Sequence, residues 1–384
     1  MFFSFFLIFT GAAIFATIAL YTRQPLLIAY IFLGMLTGPF GLGILEDTHL
    51  LADIAEIGII FLLFLLGLDM QLSNLISTLR KSMLVGVISC LVFAMLGFAV
   101  IASWGFAKSE AVIVGLCLMF SSTIIGIKLL PTTVLHHRHA GELMVGILLI
   151  QDFIAILVLL ALEGLGKPDT SVWIFIQPLA LLPVLVAGTL GAVKFIILPL
   201  LGKFDRFHEY IFLLTIGWCL GVGELAKLMG LSHEIGAFIA GISLASSPIS
   251  QFIALNLKPL RDFFLILFFF TLGAQLNISV LPEVILPTLV LTALVLLGKP
   301  VVFRFLLHRL SESNRLAWDI GFRLGQISEF SLLVTFLAGG SGIMSDKASV
   351  LVQSTAIATF AISSYIIVFN FQNPIAVSDR LRRD

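Results

Sequence analysis

Apolar residues fill this chain in runs of membrane-spanning length, with polar residues gathered in short intervals between them. The runs fall at about 2–20, 25–38, 54–68, 83–103, 110–130, 140–162, 173–199, 207–227, 232–246, 261–276, 283–308, 314–338 and 346–371. A helix needs about 20 predominantly apolar residues to cross a bilayer core. The pattern predicts an all-α polytopic membrane protein of about thirteen transmembrane helices. Several runs are short or broken by glycine and proline, such as "LLIAYIFLGMLTGP" and "HEIGAFIAGISLAS". Phe2 to Leu20 has neither a basic leader nor a small-residue cleavage site, so it reads as the first span rather than a removable signal.

Composition supports the pattern. The chain is 59% hydrophobic and only 11% charged, against about 25% charged for soluble domains. The zero net charge argues against nucleic acid as a partner. Cys90, Cys117 and Cys219 all lie inside apolar runs without CxxC spacing, which offers no metal or disulfide framework. The basic residues carry topological information. With the N-terminus outside, sixteen of the 22 Lys and Arg residues fall in inside loops and ends. Only Lys108, Lys167, Lys227 and Lys347 fall outside, and Lys299 and Arg323 lie within spans. That bias predicts a multi-pass protein of the inner (plasma) membrane with its N-terminus outside and its C-terminus cytoplasmic.

The two halves resemble one another. "AYIFLGMLTG" from Ala29 matches "GAFIAGISLA" from Gly236 at an offset of 207, and "FLLFLLGLDM" from Phe61 matches "LFFFTLGAQL" from Leu267 at an offset of 206. Two chance similarities rarely agree to one residue. The offset maps the second span onto the ninth and the third onto the tenth, an odd shift of seven helices. The repeats, about 1–162 and 207–371 with a linking helix at 173–199, must then cross the membrane in opposite directions, as in many secondary transporters. The same offset sets "FSSTIIG" (120–126) opposite "ISEFSLL" (327–333). Both are polar interruptions of spans. Ser121, Ser122, Thr123, Gln326 and Ser328 are candidates to satisfy freed backbone groups or to offer oxygens to a cation. Interhelical hydrogen bonding is the alternative for each of them.

Ionisable residues sharpen the picture. "GILLIQDFIAIL" (146–157) carries Asp152 beside Gln151 in an otherwise apolar run, where an ionised group costs roughly 2.5–3.5 kcal/mol on insertion scales. Asp152 lies ten residues beyond Glu142, a depth of about 15 Å at 1.5 Å per residue, and Lys299 lies ten residues before Arg309. Ser121 lies eleven residues in from Glu110. A carboxylate, an ammonium and two polar breaks therefore share one level, half of a roughly 30 Å core. A carboxylate in a low-dielectric cavity favours its proton, yet a dehydrated monovalent cation can replace that proton. One site then holds either species, and exchange follows from the competition. A purely structural Asp152–Lys299 ion pair is the alternative.

The segments "LIQDFIAI", "HRHAGELMVGILL", "MFSSTIIGIKLLP", "GAFIAGISLASS" and "RLGQISEFSLL" together resemble the second monovalent cation:proton antiporter family, in its glutathione-gated potassium-efflux (Kef-like) branch, over nearly the whole chain. The resemblance implies a sodium/proton-antiporter-like fold with a dimerisation domain and a core domain, two broken helices crossing at the midplane, elevator-like alternating access, and a homodimer. It makes Asp152 the ion-binding carboxylate, with Gln151 the polar residue before it. It also sets Glu329 in the second broken helix near the site, with Lys299 and Arg323 as supporting charges. Many relatives carry a second aspartate at position 151. Its replacement by Gln151 leaves one proton or one K+ or Na+ per cycle, an electroneutral exchange, unless Glu329 substitutes. Kef-type proteins continue into a cytoplasmic nucleotide-binding domain. No GxGxxG follows a strand here, so one transport domain over 1–384, without a cofactor, is expected.

"HHRHAGE" adds His136, His137 and His139 at an inside loop, readable as a pH sensor or as a basic interfacial anchor. No metal is expected beyond the transported cation. An intramembrane hydrolase needs a nucleophile and base, or paired aspartates, at one depth. The chain places neither there, so no enzyme is expected. A sodium-coupled symporter on the same architecture, or a potassium efflux channel gated by a regulatory domain, stays as the alternative.

Overall fold

The structure is a computed structural model. It describes residues 2–22, 24, 26–45, 57–58, 60–61, 63–65, 67–68, 72–128, 139–165, 172–204, 206–231, 233–245, 247 and 249–372. All regular structure among them is helical. In chain order the helices are α1 (Phe2–Tyr21), α2 (Leu26–Thr37), α3 (Leu72–Ser103), α4 (Lys108–Met119), α5 (Thr123–Lys128), α6 (His139–Leu165) and α7 (Val172–Ala192). A π-helical turn, Val193–Ile197, then leads into α8 (Leu198–Lys203). Next come α9 (His208–Leu228), α10 (His233–Ala245), α11 (Ser250–Ala274), α12 (Leu281–Arg309), α13 (Asn314–Arg323), α14 (Glu329–Gly340) and α15 (Asp346–Asn370). Seven helical stretches among the described residues are long and apolar enough to cross a membrane, and α2, α14 and the 235–245 part of α10 are shorter apolar helices. The chain is thus a polytopic membrane protein.

Phe6, Ile14, Leu91, Met95, Phe195, Leu213, Leu297 and Phe305 are exposed on these helices. So much large apolar surface suits lipid rather than water.

Two expected spans are longer than their apolar runs. The fourth, expected at 83–103, begins at Leu72, and the tenth, expected at 261–276, begins at Ser250. Hydropathy marks where a helix meets lipid, whereas backbone hydrogen bonding carries it on through polar sequence. The third expected span, 54–68, lies largely outside the described residues, so the expected count of thirteen is not established.

The chain divides into two compact units. One holds 1–45, 76–162 and 273–384, and the other holds 46–75 and 163–272. Every element of the candidate site belongs to the first. There, Val85 of α3, Leu143, Met144, Ile147 and Leu148 of α6, Phe303 and Leu307 of α12, and Ala317 and Ile320 of α13 form one buried cluster. It fixes one end of these helices against one another. Gly321 makes the approach of α13 to α12 possible: a Cβ there would lie 2.9 Å from the Pro300 Cα and carbonyl oxygen.

Both polar interruptions named above are real breaks. Phe120 has extended backbone after α4 (φ −85°, ψ 148°), and α5 starts three residues later at Thr123. Between α13 and α14, residues 324–328 leave the helix. Each new helix starts at a serine cap. Ser122 Oγ accepts from Ile125 N at 3.1 Å, and Ser328 Oγ accepts from Phe330 N at 3.1 Å.

Candidate functional site: a carboxylate beside two laced helix breaks

Asp152 sits at the middle of the 27-residue α6 and is 1% exposed. Its carboxylate is held by one hydroxyl: Thr123 Oγ1, at the start of α5, lies 3.1 Å from Oδ2 and 3.3 Å from Oδ1. One hydroxyl proton serves only one oxygen at a time, so the carboxylate keeps acceptor capacity for a proton or a cation. Among the described residues it has no ion-pair partner. Glu329, in the first turn of α14, lies within electrostatic range of it. Two acidic groups therefore face one region of the membrane interior, where like charges resist joint ionisation.

Gln151, the neighbour on α6, is turned to the first break. Its Oε1 accepts from Ser121 N at 3.0 Å, while its Nε2 finds no hydrogen-bond partner among the described residues. The α4 break thus meets α6 through two adjacent residues: Gln151 holds its backbone, and Asp152 its first helical hydroxyl.

Lys299 is fully buried on α12. It is not paired with Asp152. Its ammonium donates to Phe120 O at 2.6 Å, Gln326 O at 2.8 Å and Ser121 Oγ at 3.2 Å, using all three donors. The Phe93 ring adds a cation–π contact at 5.8 Å. Phe120 O ends α4, where the unsatisfied carbonyls carry the negative end of the helix dipole. A positive charge at that end and Glu329 at the start of α14 both follow the dipole rule. Lys299 is bound to the breaks themselves, not to the carboxylate of the alternative ion pair.

The two breaks are also laced directly. Ser121 Oγ donates to Leu324 O at 2.9 Å, and Gln326 Nε2 donates to Arg323 O at 2.9 Å and to Ser122 O at 3.4 Å. Along α4 and α14 away from the breaks, Ser331 Oγ donates to Cys117 O, and the Cys117 thiol points back at Ser331 O at 3.5 Å. Arg323 is buried, but its guanidinium turns away from this network. It pairs with Asp319 at 2.9 Å, donates to Gln372 O at 2.7 Å and lies over the Phe371 ring. Its backbone carbonyl alone joins the lacing.

The structure therefore brings together Gln151, Asp152, Ser121, Ser122, Thr123, Lys299 and Gln326, with Ser328 as the cap of α14, and sets the Arg323 side chain apart. His136 and His137 lie outside the described residues. His139 starts α6 and pairs with Glu312 at 2.7 Å. Two residues of the site had no place in the sequence reading. Thr359 Oγ1 accepts from Ile327 N at 3.3 Å, and Ser363 Oγ donates to Gln326 Oε1 at 3.0 Å. Their signal was present in Thr355, Thr359 and Ser363, a polar stripe at four-residue spacing along an apolar span.

The chain is similar to YbaL of Escherichia coli (strain K12), a candidate cation/proton antiporter, with 29% identity over 86% of this chain and 61% of that protein. It is 26% identical to K(+) efflux antiporter 6 of Arabidopsis thaliana over 86% of this chain and 57% of the plant protein. It is 30% identical to the ammonium/H(+) antiporter subunit AmhT of Alkalihalophilus pseudofirmus over 83% of this chain and 82% of that subunit. The chain thus spans about three fifths of the length of the first two of these relatives. Its fold is similar to that of the sodium proton antiporter MjNhaP1 of Methanocaldococcus jannaschii, with a TM-score of 0.71 and 18% identity over 94% of each chain. Residues 6–371 match the transmembrane part of the sodium/hydrogen exchanger family, and the chain belongs to that family.

Proposed function

We propose that this chain exchanges a monovalent cation, K+ or Na+, for protons across the plasma membrane, with Asp152 as the group that carries either ion. The observation that carries the reading is Asp152 itself: a buried carboxylate at the middle of a spanning helix that, among the described residues, has no ion pair and is held by a hydroxyl at the start of a broken helix. A structural carboxylate at this depth would be matched by a cation, because an uncompensated charge is costly there. Lys299 is the cation at hand, and it is spent on the breaks instead. The relatives' names, which speak of cation/proton, K(+) and ammonium/H(+) antiporters, support the same chemistry.

In the proposed cycle a proton occupies Asp152 on one side of the membrane and a dehydrated cation on the other. The Thr123 hydroxyl serves both forms, because it donates to the ionised carboxylate and accepts from the protonated one. The ionised, empty site resists crossing, since a bare carboxylate pays full desolvation, and that resistance couples the two flows. Alternating access, inverted repeats over about 1–162 and 207–371, a homodimer, and an outside N-terminus belong to this proposal. The sequence self-similarity and the sixteen-to-four basic bias support the repeats and the orientation, and the family resemblance supports the rest. With Gln151 beside Asp152 in place of a second carboxylate, the exchange is electroneutral.

The test is a proteoliposome assay with an internal pH dye and a pulse of K+ or Na+. Wild-type protein should move protons against either pulse or both. Asp152→Asn keeps the volume but cannot swap a proton for a cation, and proton movement above the empty-vesicle rate in that variant would sink the assignment.

A further inference from the structure

The side chain of Gln326 is fully buried and joins three elements. Its Nε2 donates to Ser122 O in the first break at 3.4 Å and to Arg323 O beside the second at 2.9 Å. Its Oε1 accepts from Ser363 of α15 at 3.0 Å. Each end of an amide can be satisfied in only one sense at such a site. Turned over, Oε1 would face two carbonyl oxygens, and neither of those can donate. The Ser363 hydroxyl supplies the donor that Oε1 needs once both N–H groups are committed to the breaks.

The carbonyl held this way is close to the chemistry. Ser122 O belongs to the residue before Thr123, whose hydroxyl holds Asp152. A backbone carbonyl at a helix break is an oxygen ligand of the kind that replaces the hydration shell of an alkali cation. Ser122 O already accepts from Gly126 N at 3.1 Å, so while Gln326 donates to it as well, both of its lone pairs are taken and it is a weaker cation ligand. We infer that Ser363 is a positioning residue that keeps Gln326 on the Ser122 carbonyl and so limits cation affinity at Asp152, favouring release over retention.

The inference rests on the exchange reading and extends it to the last helix, which touches neither ion. Removing the hydroxyl leaves Oε1 buried without a donor, and a buried orphan acceptor is costly enough to drive the side chain to another rotamer. Ser122 O then keeps only the Gly126 amide as its donor, and one of its lone pairs is open. Ser363→Ala should therefore bind K+ or Na+ several-fold more tightly and turn over more slowly, with a lower cation KM and a lower kcat. Because the cation competes better with the proton, the pH profile at fixed cation should move to lower pH. Ser363→Thr retains the donor and should return KM to the wild-type value, and Ser363→Cys, a weaker donor, should fall between. In a Gln326→Ala background, Ser363→Ala should have no further effect on KM, since the group it positions is gone.

The measurement pairs calorimetric titration of purified protein with KCl and with NaCl and KM and kcat from the proteoliposome assay, on the wild type, the three Ser363 variants and the double variant. An unchanged or weakened cation affinity in Ser363→Ala overturns the inference. So does an affinity change that persists in the Gln326→Ala background, or a wild type that binds neither cation. Failure of the exchange reading looks different, because it shows as proton movement retained in Asp152→Asn.

Discussion

The two helix breaks look alike in sequence and are held in different ways. The first, between α4 and α5, is three residues long and is fastened by α6, through Gln151 to the Ser121 amide and Asp152 to the Thr123 hydroxyl. The second, between α13 and α14, runs over five residues and is fastened by α15, through Thr359 to the Ile327 amide and Ser363 to Gln326. Each break opens carbonyls and amides that must find partners in the absence of water. The shorter one is closed by the helix that carries the candidate ion-binding carboxylate, so any change of ligand on Asp152 acts directly on it. The longer one is closed by neutral hydroxyls of a helix with no intramembrane charge in contact with the ion. Lys299 bridges the two through Phe120 O and Gln326 O. The difference teaches that one break is built to respond and the other to hold.

The largest effect that tests this contrast is at Asp152. Asp152→Asn should abolish exchange and leave thermal stability near wild type, while Asp152→Glu should retain partial activity with altered cation affinity. Lys299 comes next. Lys299→Ala strands two buried carbonyls, each costing roughly 1–3 kcal/mol, while the Ser121 hydroxyl keeps its bond to Leu324 O. It should lower the melting temperature by several degrees as well as transport, measured by differential scanning fluorimetry and the pH-dye assay. A melting temperature and pH profile that both match wild type would make the bridge dispensable.

The responsive break is probed more gently by Thr123→Val, which removes the hydroxyl and keeps the shape. A lost hydrogen bond to a charged group contributes about 1.5–3 kcal/mol, so cation KM should change by roughly tenfold or more. The corresponding change at the other break, Thr359→Val, should alter KM less than it alters stability. Equal KM effects from the two valines would erase the distinction drawn here.

The smallest signal is electrical. If Asp152 alone changes ligand, both half-cycles move one positive charge, so transient currents after a cation jump on solid-supported membranes should be small. Exchange should then be indifferent to an imposed potential. Sustained acceleration by potential would refute the one-carboxylate mechanism, and its loss in Glu329→Gln would identify Glu329 as the second proton carrier.

Much of this was legible without coordinates, and the reason is physical. A bilayer imposes length and apolarity on every span, so most of the described helices follow from hydropathy alone. A buried carboxylate is so costly that Asp152 stands out from its apolar surroundings in one dimension. The two breaks were readable for the same reason, since polar clusters such as "FSSTIIG" and "ISEFSLL" have no cause to lie in lipid unless the backbone there needs partners. The repeat offset then set these two breaks opposite each other at one depth.

What the sequence could not decide was which polar group meets which. Depth along a helix is a one-dimensional quantity, and the shared depth of Asp152 and Lys299 leaves an ion pair between them open as an alternative. Only the tertiary arrangement shows the ammonium drawn to the breaks, because two open carbonyls and the Ser121 hydroxyl offer three acceptors at once where a single carboxylate offers a costly charge pair. Arg323 likewise shared a span with the site in sequence, yet a turn of helix aims its guanidinium at Asp319 and the exit of α15. Hydropathy and polar clusters were enough to locate most of the described spans, the buried carboxylate and the places where the helices break. The packing of α6, α12 and α15 around those breaks decided the partners, because a hydrogen bond depends on the rotation of two helices about their own axes. No count of residues along either one records that angle.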